Sequence, residues 1–554
     1  MRLPKLSYTS NLRKTTQITF GGMQQTLGAR DGSIWNMKNM TSDNYPLLST
    51  RKPRARLERP VMLDAPEGTE GKMEPGGIFA HGKLCWVYGG MFFYGGEYKF
   101  RLSHGRKTFA AMGSKVVILP DKRYYDTKTD ESGYLGDIVG FTKLRFRNGK
   151  MYGEDANANG ITGDGADFSH YFKVGDAVTI SGCTIVPENN KTLVIRGFSD
   201  SGKSMWFYEN SFTLVNGEEY EETGELSIER EIPELLFGME NENRLWGCTE
   251  DTICASKLGD ITNWNVFDQL ASDSWQVTPS SPGRFVGGIS YRGYPVVFKE
   301  DKVYKVYGSM PSNFELVGGA TLGLEEGSAN SLAVAGETLF YLSRTGIVGY
   351  TGGVPQPVST AALGQKKFRN AVAGSDGLKY YVSMQDEEGV WGLYVYDTQK
   401  RLWHKEDTVR VTHFAFLDGN LYGMMETGEV MLMGNWSGDD LNVSEEIKIP
   451  WEVEFNDFTD NSPNKKGIGK LQIRMSLEKG AAFEIWIQYD SNGQWEKIES
   501  ITGEDPKRTY QTPVVPRRCD HCRLKLTGWG GCTIYSITRE TYAGSEMRSR
   551  PGRN

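Results

Sequence analysis

The sequence predicts an all-β protein: a β-propeller of about six or seven blades, with an inserted small β-barrel or sandwich domain and a C-terminal β-sandwich. Three observations carry that expectation. Aromatic residues make up 12% of the chain and glycine 66 of its 554 residues, a pairing that suits strands joined by tight turns. Period-two alternation, broken by polar turns every 8–12 residues or so, recurs along most of the chain and marks antiparallel sheet. Helical periodicity is scarce; "STAALGQKKF" (359–368) is the one short helix expected, with Ser359 or Thr360 as its N-cap.

The blade elements are residues 79–96, 109–127, 238–257, 291–308, 331–353, 371–397 and 414–434. Most run as a small apolar strand, a polar turn, an alternating strand, a second turn and a third strand. In "YRGYPVVFKEDKVYKVYG" (291–308), Tyr294, Val296 and Phe298 share one face, and Val303 and Tyr307 alternate after the Glu300-Asp301 turn. Such a unit cannot bury a face alone, so recurrence at about 40 residues calls for stacking or radial closure. A propeller closes the array and protects its edges; a row of separate antiparallel sandwiches is the alternative.

In chain order, residues 1–70 read as an extended arm, punctuated by Gly, Asn and Asp and anchored by Trp35, Tyr45, Leu47 and Leu48. An arm of this kind suits clasping of neighbouring subunits. Residues 71–135 hold the first blades. Residues 136–232, containing "FKVGDAVTISGCTIVPENNKTLVIRGFS", are a β domain set between blades, and 233–445 hold the remaining blades. Residues 446–545 carry the long alternating strands of a terminal sandwich, and 546–554 are a patternless, flexible tail.

Charge and cysteine content limit the functional classes. A net charge of −7 argues against a protein that coats nucleic acid, so any contact with DNA is local. Seven dispersed cysteines argue against a secreted disulfide framework and for synthesis in a reducing cytoplasm. The opening "MRLPKLSYTSNLRKTTQITF" lacks the apolar core of a signal peptide, and no apolar run reaches the roughly 18 residues of a membrane helix.

The chemistry-bearing motifs are weak. "CDHC" with Cys519, His521, Cys522 and the later Cys532 invites zinc, but strand alternation points Cys522 away from Cys519 and His521, and a second CxxC is missing. "DANANG" begins like a calcium loop with Asp155, Asn157, Asn159 and Gly160; Ala166 stands where the bidentate acid belongs, which leaves Asp164 and Asp167 as substitutes. "FSDSGKSMW" (198–206) approaches the sialidase turn, yet Ser199 directly precedes Asp200 and Trp206 falls one place late. The six histidines are scattered; His404 reads as a sheet residue. No catalytic residue, cofactor or metal is therefore expected, and the chain is not read as an enzyme. The basic run "STRKPRARLERP" sets Arg51, Lys52, Arg54, Arg56 and Arg59 against Glu58 alone. Guanidinium forks there suit either DNA phosphate or an acidic surface on a neighbouring subunit.

Several strings resemble virion structural proteins of phages and prophages of Gram-positive bacteria. They are Gly28-Ala29-Arg30-Asp31-Gly32, Asn36-Met37-Lys38-Asn39-Met40 and Tyr45-Pro46-Leu47-Leu48, then "ISYRGYPVVFKEDKVYKVYGSMPSNFEL", "YVYDTQKRLWHKED" and "CRLKLTGWGGCTIYSITRE". The likeness spans most of the chain and is weakest in the insertion. It implies the tail hub, nozzle or packaged-DNA-stabilisation group of the head–tail connector. The expectation is a structural ring, six-fold and homo-oligomeric, that continues the DNA channel and helps retain the genome. It would contact portal, adaptor and other tail proteins, touch double-stranded DNA without sequence preference, avoid membranes and reside in the virion. The alternative is a glycan-binding or glycan-cleaving propeller at the tail tip.

Overall fold

The computed structural model describes residues 12–26, 28–57, 74–148, 159–163, 165, 167–208, 211–437, 443–460, 464–503, 505–515 and 517–543. The chain forms two compact units, residues 101–324 and residues 1–100 with 325–554. Strands dominate both, and each expected blade stretch falls in its own antiparallel sheet.

Residues 101–324 contain three meanders of propeller-blade form and a closed barrel. Blade 2 comprises Thr108–Met112, Lys115–Leu119, Arg123–Asp126 and Glu131–Tyr134. Blade 3 comprises Phe237–Asn241, Arg244–Cys248, Ile253–Ala255 and Trp275–Val277, and blade 4 Gly287–Tyr291, Tyr294–Phe298, Lys302–Tyr307 and Glu315–Ala320. Their alternation has the expected physical outcome, because the apolar faces of successive blades meet. Val117 and Leu119 of blade 2 share a core with Leu245 of blade 3, and Trp246 of blade 3 shares one with Val297 of blade 4.

Between blades 2 and 3, six strands from Asp137–Arg147 to Tyr220–Arg230 close into a barrel around Phe146, Ile161, Phe168, Ile180 and Met205. Arg230, on the barrel's last strand, bonds Asp137 on the first at 2.7 Å and Asp176 at 2.6 Å. One guanidinium thus fastens the two ends of the insertion together. Glu222 is fully buried and accepts backbone N–H groups of Thr184 and Ile185 at 2.8 and 2.7 Å. Burial alone would raise its carboxyl; those donors outweigh it and hold the group below its ordinary value.

The other unit carries blade 1 (Pro75–His81, Lys83–Tyr88, Met91–Tyr94, Glu97–Arg101), blade 5 (Ala333–Ala335, Thr338–Ser343, Gly346–Tyr350, Gln356–Pro357) and blade 6 (Phe368–Ser375, Lys379–Asp386, Trp391–Asp397, Leu402–Asp407). Blade 7 draws only three strands from its own stretch, Val411–Leu417, Asn420–Met425 and Val430–Met433. Its fourth is Ala55–Leu57 from the N-terminal region, followed outward by Val443–Glu445. Tyr422, Met424 and Leu432 of blade 7 pack with Trp86 and Phe93 of blade 1, and Ala55 lies in the same core. The last blade is therefore both completed by an early strand and packed on the first blade. Six four-stranded meanders and this composite blade, among the described residues, agree with the six or seven blades expected.

The β-sandwich has Lys466–Leu477, Asp505–Pro513 and Cys532–Ala543 in one sheet, and Pro450–Phe455, Ala482–Tyr489, Glu496–Thr502 and Cys522–Trp529 in the other. It is not built from C-terminal residues alone. Ile34–Lys38 pairs with Pro450–Phe455, and Leu12–Gln17 and Leu48–Thr50 pair along Cys532–Ala543. The expectation of an arm laid over neighbouring subunits is corrected for these residues, which are strands of this chain's own sheets. The reason is local chemistry: runs such as "IWNMK" and "LST" are too short to stand alone, and the open sheet edges satisfy their backbone groups.

The helix expected over 359–368 is a single turn, Thr360–Leu363. Ser359 is its N-cap residue, but its hydroxyl accepts the Ile347 N–H at 2.9 Å and caps no helical amide. Gly364, with φ of 70°, ends the turn. No helix among the described residues is long and apolar enough to cross a membrane.

Candidate functional site

The basic run leads to the principal polar cluster. Residues 51–54 cross between the sandwich strand Leu48–Thr50 and the blade 7 strand Ala55–Leu57. Glu406 and Asp407 end blade 6, and Glu446 follows Val443–Glu445. Arg54 is 2% exposed and reaches Glu406 at 2.6 Å and Asp407 at 2.8 Å. Arg51 contacts Glu446 at 2.7 Å and donates from Nε to Asn39 Oδ1 at 2.8 Å. The Arg54 backbone N–H donates to Glu446 at 3.0 Å. Two guanidinium groups thus face three carboxylates, and the pairs join three elements distant in sequence.

Charge follows geometry. Burial disfavours ionised Arg54, but Glu406, Asp407 and Glu446 outweigh it and raise its pKa, so it stays charged. Burial pushes the Asp407 carboxyl up, while Arg54 beside it brings it below its ordinary value. Glu446 is lowered in the same way, against burial, by Arg51 and then Arg54. Depressed carboxylates stabilise the fold above their unfolded pKa of about 4 and lose that contribution as pH falls through the lower folded values. We expect hydrogen-exchange protection of Ala55–Leu57 to hold at neutral pH and to drop selectively below about pH 4. Unchanged protection at pH 2 to 3 or so would remove the ionic contribution.

This arrangement corrects the reading of the basic run. Arg51 and Arg54 are held by this chain's own acids, so neither guanidinium is free to grip phosphate or a neighbouring subunit. Arg56 is exposed and pairs with Glu429 at 3.0 Å, Lys52 is exposed, and Arg59 lies outside the described residues. Of the anchors, Leu48 is buried, whereas Trp35 and Leu47 are half-buried and Tyr45 is exposed. Trp35 lies under the Arg523 guanidinium, 5.6 Å from ring centroid to Cζ. Sequence reasoning missed Glu406, Asp407 and Glu446. The available signal was an adjacent acid pair closing the alternating strand "LWHKED", where apolar residues would be expected to face the sheet.

The other motifs do not converge. Cys519, Cys522 and Cys532 are buried, and burial pushes their thiols up, Cys519 to about 11. His521 turns elsewhere, to Ser491 Oγ at 2.8 Å and to Asp520. Asp155, Asn157, Asp164 and Ala166 lie outside the described residues. Asn159 is buried and donates to the Phe207 carbonyl at 3.2 Å, and Asp167 caps the helix Phe168–Tyr171 through the Ser169 N–H. His404 is buried in blade 6, where desolvation lowers its pKa to about 3 and keeps the ring neutral.

No family model matches the sequence, and no curated protein matches it. Among solved structures, BamB from Moraxella catarrhalis is similar with a TM-score of 0.29 and 10% identity, covering 71% of this chain and 98% of that one. U3-55K is similar with a TM-score of 0.33 and 6% identity, over 69% and 98%. An exo-beta-1,3-galactanase from Phanerochaete chrysosporium is similar with a TM-score of 0.21 and 8% identity, over 55% and 94%. TM-scores this low assign nothing further to the chain.

Proposed function

We propose that this protein is a structural, non-enzymatic component of a bacteriophage virion. It forms a homo-oligomeric ring, six-fold by expectation, in the head–tail connector or the tail hub or nozzle. One observation carries the reading. The strings that resemble phage virion proteins, Gly28 to Gly32, Asn36 to Met40 and Tyr45 to Leu48, lie in the segment whose strands enter both sandwich sheets and blade 7. That placement supports a mechanical role, because sheets are locked by strands drawn from far along the chain. In such a ring the acidic chain lines a channel that repels phosphate and lets DNA slide. For portal, adaptor or DNA phosphate contacts Lys52 is exposed, while Arg56, exposed but paired with Glu429, would have to exchange that partner. Heterologous head-to-tail surfaces close the ring.

The test is negative-stain imaging of purified particles labelled with an antibody to this chain. Label in a ring at the neck or tail is the expected result. Particles that package and retain genome without the protein, or label confined to the capsid surface, overturn the reading.

A further inference from the structure

We propose that the cavity beside the first strand of the chain is a binding site for an acidic saccharide, one that carries a carboxylate or phosphate. The site is independent of where the protein stands in a particle. The cavity has a volume of about 710 Å³ and lies within one unit, walled by the N-terminal strand and loops, the start of the last strand of blade 6, and the sandwich residues Phe458 and Arg539. That volume suits a small ligand, being within the range of about 300–1,000 Å³ typical of ligand clefts. A DNA duplex needs a long surface track instead.

The lining is cationic where it is open. Arg30 and Arg401 both line the cavity and are exposed, and neither has an ion-pair partner among the described residues. Asp31 also lines the cavity; its two oxygens accept the backbone N–H groups of Thr459 and Asp460, it forms no ion pair with either arginine among the described residues, and three arginines against this one acid leave the lining positive. A third guanidinium, Arg539, is 4% exposed. It pairs with Asp460 at 2.9 Å and lies 3.6 Å from the Phe458 ring centroid. Its Nε still lacks a hydrogen-bond partner among the described residues, as does the Thr15 hydroxyl on the same wall.

The rest of the wall suits sugar hydroxyls. The Thr19 hydroxyl, the Gln17 amide, whose Nε2 also donates to the Gly32 carbonyl at 3.2 Å, and the Thr16 hydroxyl, which shares a hydrogen bond with Thr538 at 3.0 Å, line this wall, and the Tyr45 ring, 44% exposed, offers a flat apolar face. Guanidinium forks for the anion, neutral donors and acceptors for hydroxyls and one aromatic platform together describe an acidic sugar better than a bare anion.

Isothermal titration of the full chain with trigalacturonate, N-acetylneuraminic acid and glucose 1-phosphate tests this, with maltotriose, inorganic phosphate and a short DNA duplex as comparators. At least one acidic sugar is expected to bind with a dissociation constant below about 10 mM. Maltotriose and inorganic phosphate should bind at least about tenfold more weakly, and the R30Q/R401Q double variant should lose about tenfold in affinity with an unchanged melting temperature. An R401K variant should keep part of the affinity. Absence of binding by all three acidic sugars, equal binding of inorganic phosphate, an unaffected double variant, or preferential binding of the duplex each overturns the proposal.

Discussion

Replacing Arg54 by Met should cost the fold about 3–5 kcal/mol, because it leaves Glu406 and Asp407 buried without their main counter-charge. Arg54 bonds both acids at 2.6 and 2.8 Å and is 2% exposed. Water cannot enter to replace it without opening the site. The strand that suffers first is Ala55–Leu57, adjacent in sequence and held in blade 7 by pairing with Met431 and Leu432 and with Val443 to Glu445. Hydrogen exchange should show that strand and its two partners losing protection together, before the other two strands of blade 7, Val411–Leu417 and Asn420–Met425. Arg56→Met is the control. Its pair with Glu429 is about half-exposed on both sides, and such surface pairs contribute roughly 0–1 kcal/mol. Equal melting temperatures for the two variants would show that the buried cluster has no special weight. The triple variant R54M/E406Q/D407N should recover part of the loss, since it removes the stranded charges together with their partner.

The contrast between Arg54 and Arg56 also shows what the sequence could and could not reveal. Both sit in one basic run, and nothing local distinguishes them. Strand alternation does not separate them either, since residues two apart share a face, and the run read only as part of an extended arm. The burial of Arg54 depends on residues more than 350 positions away, in a strand that itself looks ordinary apart from its terminal Glu406-Asp407. Blades were legible for the opposite reason. In Tyr294–Phe298 and Lys302–Tyr307 the pairing partners are neighbours joined by a short turn, so period-two alternation and turn chemistry determine the sheet locally. The barrel was legible as a break in that rhythm. The N-terminal strands were not, because Ile34–Lys38 and Leu48–Thr50 carry too few residues to show a period, and their partners lie at the far end of the chain. The Arg30 and Arg401 cavity was invisible for the same reason: its walls meet only through those long-range pairings.

Deleting residues 1–57 should abolish independent folding of the sandwich and stop the protein from entering particles. Phe20, Met23, Ile34, Met37, Met40 and Leu48 are all nearly fully buried and belong to one core with Trp451, Phe455, Leu471 and Ile534. Removing six such side chains forfeits about 1.5–3 kcal/mol each, a sum comparable with the roughly 5–15 kcal/mol that holds a whole domain together. The deletion also strips a strand from blade 7 and bares the edge of Cys532–Ala543, an unpaired row of backbone groups that invites aggregation. The cause is therefore loss of the subunit's own sheets, which precedes any loss of contact between subunits. Co-expression of residues 1–57 as a separate fragment separates the two. If the segment acts within its own subunit, the fragment should co-purify with the truncated chain at one-to-one stoichiometry and restore a cooperative melt before any ring forms. A truncated chain that melts cooperatively like the intact protein would contradict the packing argument. Complete, genome-retaining particles that lack the truncated chain altogether would contradict the virion role as well.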